Sequence, residues 1–171
     1  PSHTYYRLGR YREAGVANLE AVRADQRYLR DTSSDMPLEE VPYHSHNVHF
    51  GMGGAMMAGD GDLALELARH YESTWTKPVP EADYREVLKA AALLAQARYG
   101  EPAELLALAE PSGGAYLRGM WRYARGEALA RQGDAAAVER EARAMQVEMR
   151  GFNAYGRRAS NTRALVSIPR D

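Results

Sequence analysis

The sequence predicts an all-α protein built from stacked helical hairpins. Three observations carry this reading. Alanine, leucine, glutamate and arginine, all good helix formers, dominate the 171 residues. Stretches rich in β-branched residues, which strands need, are few and short. One pattern also recurs four times: a glycine closing one helical stretch, a short turn, then a second stretch. The copies are LGRYREAGVANLEAV from Leu8, AGDGDLALELARHY from Ala58, YGEPAELLALAE from Tyr99 and QGDAAAVEREARAM from Gln132.

Taken in order, Ser2–Leu8 reads as a short helix closed by Gly9, too short to be a complete member of a hairpin, and Tyr11–Leu29 as its partner. The turn-rich Arg30–Tyr43 connects to Ser45–Ala58, with Ser45 as N-cap. Asp62–Thr74 pairs with that helix, and Ser73–Pro80 breaks the chain before Glu81–Tyr99 and Pro102–Ala109. Tyr116–Gln132 and Ala135–Arg150 form the last hairpin. Gly9, Gly59, Gly100 and Gly133 fit the position just past a helix, where a left-handed backbone costs glycine nothing. Aligned on these glycines, small or apolar residues recur five places on (Ala14, Ala64, Leu105, Val138) and nine places on (Asn18, Ala68, Ala109, Ala142). Those are the places where paired helices approach closely.

The segments YARGEALARQGDAAAVEREARAM, Tyr123 to Met145, and YRLGRYREAGVANLEAV, Tyr6 to Val22, resemble the tetratricopeptide repeat family. The resemblance implies a right-handed solenoid of about four antiparallel helix pairs. The pairs would fall at residues 1–29, 45–74, 81–110 and 116–150, with 151–171 a tail or the start of a further repeat. The glycine spacings are 50, 41 and 33, against a family period of about 34, so only the last interval is regular. Arg125 and Gln96 stand where the family prefers apolar packing. The chain begins at Pro1, and an excised piece of a longer repeat protein is the expectation.

Composition narrows the function. A formal charge of −1, from 22 basic and 23 acidic residues, gives no broad field for attracting nucleic acid or an anionic membrane. Arg157, Arg158 and Arg163 form a basic patch without interleaved aromatics to stack bases. No apolar run approaches membrane-spanning length, so a soluble protein is expected, with the compartment open and the cytoplasm favoured. The absence of cysteine excludes a thiolate ligand or nucleophile. FGMGGAM lacks the preceding strand and following Gly-Lys-Ser/Thr of a phosphate loop.

Five histidines remain, three of them in HSHNVH, residues 44–49. In the resembling family the first helix of each pair lines a concave surface, and positions 3, 6, 10 and 13 before the turn glycine share one stripe. That stripe carries His3 and Tyr6 in the first pair, His46, His49, Gly53 and Met56 in the second, and Ala97, Leu94, Ala90 and Val87 in the third. The fourth carries Met120, Tyr123, Glu127 and Ala130. The expected function is a non-catalytic scaffold that binds a peptide or protein partner in this groove, with His3, Tyr6, His46, His49, Gly53, Met56, Tyr123 and Glu127 as contacts. No cofactor is required. The alternative is a metal-binding domain, possible accessory to an enzyme, in which His3, His46 and His49 hold zinc or copper.

Overall fold

A computed structural model describes residues 1–78 and 84–150 of the chain. Those residues form eight α-helices and one 3₁₀ turn, with no strand among them. The helices are α1 (Ser2–Arg7), α2 (Tyr11–Asp31), α3 (His44–Ala58), α4 (Gly61–Thr74), α5 (Arg85–Tyr99), α6 (Pro102–Ala107), α7 (Ala115–Arg131) and α8 (Ala135–Arg150), with the 3₁₀ turn at Leu38–Glu40. Each packs chiefly on its neighbours in the chain: α1 on α2, α2 on α3, α3 on α4, α4 on α5, α5 and α6 on α7, and α7 on α8. None is long and apolar enough to cross a membrane. The expected segment 151–171 and the first residues of the expected Glu81–Tyr99 helix lie outside the described residues.

Local chemistry sets most helix ends. Gly9, Gly59 and Gly133 take positive φ of 74°, 71° and 79° as the glycine alignment expected. Gly100 does not: at φ −79° and ψ 175° it is extended, and the chain leaves α5 straight into Pro102. Asp60 caps α4 by accepting the Leu63 N–H at 3.2 Å, and Asp134 accepts the Ala137 N–H at 2.9 Å at the start of α8. α2 runs two residues beyond the expected Leu29, and the Thr32 hydroxyl donates to the Tyr28 carbonyl at 2.7 Å to close it. α6 stops at Ala107 rather than Ala109: Leu108 is already extended, at φ −64° and ψ 129°, and the Leu106 carbonyl accepts from the Arg125 guanidinium at 2.9 Å.

Two apolar clusters share α5 as a common wall. Leu88, Ala91, Ala92 and Ala95 join Val22, Val48, Met52, Leu67 and Tyr71 of α2, α3 and α4. Ala90, Leu93 and Ala97 face Leu117, Trp121, Ala124 and Ala128 of α7. A helix apolar on both sides must be buried, and alanine lets neighbours approach from both. The expected open stripe therefore does not continue through α5, since Ala90 and Ala97 are 1% and 3% exposed. Arg125 and Gln96, out of place in an apolar pattern, have partners. Arg125 bonds Glu141 of α8 at 2.8 Å and lies over the Trp121 ring, and the Gln96 amide donates to Glu72 at 2.9 Å.

α2 and α3 approach each other closely at Gly15 and Gly54. A Cβ added to Gly54 would lie 2.8 Å from the Gly15 nitrogen and 3.0 Å from the Tyr11 carbonyl oxygen. One added to Gly51 would meet Leu67 at 2.8 Å and the Asn18 Cβ at 3.1 Å. Of the three glycines in FGMGGAM, Gly54 thus lets two backbones touch, and Gly51 makes room for the side chains of Leu67 and Asn18. Gly53 does not, since an added Cβ there meets nothing within 4 Å.

Candidate functional site

The imidazoles divide into two groups on opposite sides of α3. Its register explains the division. His46, His49, Gly53 and Met56 share one face, and none of them is buried. His44, Val48, Met52 and Ala55 share the opposite face, and all four are buried.

On the outer face, the Nε2 atoms of His3 (α1) and His46 (α3) approach to 3.0 Å, with the rings stacked at 5.1 Å and 23°. Phe50, one turn beyond His46, supports both, at 4.1 Å from the His3 ring and 5.6 Å from that of His46. Tyr6 packs against Phe50 at 5.2 Å and Tyr11 at 5.0 Å. Tyr43 meets His46 edge-on at 6.2 Å. Its backbone is left-handed at φ 64°, uncommon for a residue with a side chain, and the residue is 77% exposed. That backbone starts α3 at His44 instead of placing an N-cap at Ser45, whose hydroxyl is engaged with the Tyr84 hydroxyl at 3.0 Å.

His49 lies half-buried on the same face, and burial first, then the nearby charge of His46, lowers its pKa below the usual histidine value. The structure thus brings together His3, Tyr6 and His46 of the expected contacts. Tyr123 and Glu127 are on α7, whose neighbours are α5, α6 and α8, and both are exposed. There they pair with each other: burial of the ring and then the Glu127 carboxylate raise the Tyr123 pKa. Among the described residues, no three or more histidine, aspartate or glutamate side chains converge as ligands for a metal ion. The expected ligand set of His3, His46 and His49 reduces to the His3–His46 contact.

The second group was not anticipated. His44 is fully buried, with Nδ1 at 2.8 Å from Asp25 Oδ2 of α2 and Nε2 at 2.8 Å from His70 Nε2 of α4. The carboxylate requires a proton on His44 Nδ1, so with neutral rings His44 Nε2 accepts from His70 Nε2–H. Trp75 stacks over His44 at 5.7 Å and Tyr71 over Trp75 at 5.0 Å. Burial, followed by the neighbouring His44, lowers the His70 pKa to about 4, with Glu66 acting weakly the other way. This Asp–His–His row satisfies a buried polar side chain at both nitrogens and ties α2, α3 and α4 together. Only the phase of α3 could have pointed to it in the sequence, because His44 falls two residues from His46 and therefore on the far side of the helix.

Comparison with family models, curated proteins and solved structures finds no match for the chain.

Proposed function

We propose that the chain is a non-catalytic helical-repeat module, akin to tetratricopeptide repeats, that binds a peptide or protein segment on the outer face of α1 and α3. The observation that carries this reading is the aromatic and imidazole cluster of His3, Tyr6, Tyr43, His46 and Phe50, held in contact outside the core. Aromatic rings that offer large area and few rotatable bonds are good anchors for a partner. Tyr43 is displayed at the cost of a left-handed backbone, which favours a role in contact over one in folding. Gly53 leaves space beside His49 into which a side chain of the partner fits. The buried row supports the non-catalytic reading. His44 Nε2, the atom that a carboxylate–histidine pair would turn on a nucleophile, is occupied by His70 inside the core.

The test is selection from a displayed random peptide library. The wild-type chain should enrich a related set of sequences whose binding weakens at least tenfold in Tyr43→Ala and in His46→Ala, and remains in Tyr123→Ala. Peptides that bind Tyr43→Ala and His46→Ala as tightly as the wild type would refute the assignment of this face.

A further inference from the structure

The molecule holds two pairs of histidines meeting Nε2 to Nε2, and their surroundings differ. The His44–His70 pair is enclosed: His44 is fully buried, fixed by Asp25 on its other nitrogen and covered by Trp75. A shared proton accounts for it. The His3–His46 pair is exposed to water, where a hydrogen bond between two imidazoles replaces equally good bonds to solvent and gains little. Its convergence from helices 43 residues apart in sequence therefore has another use.

We propose that His3 and His46 form a two-imidazole site for a divalent transition-metal ion of the zinc or copper type, with water completing the shell, and that the ion staples α1 to α3. Metal–nitrogen bonds of roughly 2.1 Å at a right angle place the two nitrogens about 3.0 Å apart, and a tetrahedral angle widens this to roughly 3.4 Å. The observed separation of 3.0 Å is already the first of these. Phe50 packs against both rings and limits their rotation, which lowers the entropy lost on binding. Exposure leaves room for the waters that two protein ligands require. The staple has something to hold, because α1 has six residues, none of them buried. This inference does not depend on the peptide-binding reading.

The experiment is a calorimetric titration of the full chain with zinc chloride, using protein whose Pro1 amine is acetylated so that it cannot serve as a ligand. Two imidazoles are half of a structural zinc shell, so one ion should bind per chain with a Kd on the order of 10 µM. Affinity should fall at least tenfold in His3→Ala and in His46→Ala and stay unchanged in His70→Gln, which alters only the other pair. Backbone hydrogen exchange in α1 should slow several-fold with zinc in the wild type and in His70→Gln, and should not slow in His3→Ala or His46→Ala. His3 is exposed and its removal leaves the core intact, so equal zinc affinity in His3→Ala overturns the site. Binding that leaves α1 exchange unchanged overturns the staple.

Discussion

Gly53 and Gly54 are adjacent in one helix, yet replacing each by alanine should move stability in opposite directions. At Gly54 the new methyl would sit 2.8 Å from the Gly15 nitrogen, 3.0 Å from the Tyr11 oxygen and 3.2 Å from the Gly15 Cα. These are backbone atoms of α2, so relief comes only by moving one helix off the other. Overpacking of this kind costs up to about 3 kcal/mol. Alanine returns about 1 kcal/mol through helix propensity, leaving a net loss of about 2 kcal/mol. For a chain of this size that lowers the melting midpoint by roughly 4–8 °C. At Gly53 nothing lies within 4 Å, so Gly53→Ala should gain about 0.5–1 kcal/mol from propensity alone. Gly51→Ala should fall between them, because the nearest atom is a terminal methyl of Leu67 at 2.8 Å, which can turn away. Urea denaturation with a common slope measures all three. A Gly54→Ala protein as stable as Gly53→Ala would show that α2 and α3 do not cross at Gly15, and the assignment of the two faces of α3 would fall with it.

Two further predictions follow from the buried polar groups. The folded state holds the His70 pKa near 4, whereas the unfolded chain protonates at about 6.5, so the unfolded state takes up the proton first as pH falls. Stability should be flat with respect to this group above about pH 6.5 and decline between roughly pH 6.5 and 4, by about 2 kcal/mol after discounting for partial exposure. His70→Gln should remove that part of the slope in denaturation midpoints taken across the range, and parallel curves for the two proteins would disprove it. On α7, Arg125→Ala should cost about 2–3 kcal/mol. It removes the 2.8 Å bond to Glu141, which is 9% exposed, and the bond to the Leu106 carbonyl. Arg143→Ala, which breaks an exposed pair with Glu139, should stay within about 0.5 kcal/mol. Equal losses in chemical denaturation would contradict the role given to Glu141.

Helices were legible because their causes are local. Propensity, turn glycines and breaker-rich connections act within a few residues, so the order of elements and most boundaries follow from the residues alone. Helical period placed His46 and His49 on one stripe, and the resemblance to stacked hairpins set His3 beside them; the structure brings His3 to His46. Some boundaries shifted: α6 ends at Ala107, two residues early, where Leu108 is extended. Gly100 took an extended conformation although it aligned with three left-handed glycines, for the chain turns there into Pro102.

The amino-acid sequence by itself determined that this chain is helical, where its hairpins turn, and which residues share each helical face, since all three depend on neighbours along the chain. The tertiary structure alone decided which face became interior. Burial of His44 depends on Asp25 and His70 arriving from two other helices, and the division of labour among Gly51, Gly53 and Gly54 depends on where α2 crosses. Those are contacts between surfaces, fixed by how closely whole helices pack and by whether a buried polar group finds partners, and neither quantity is a property of any single segment.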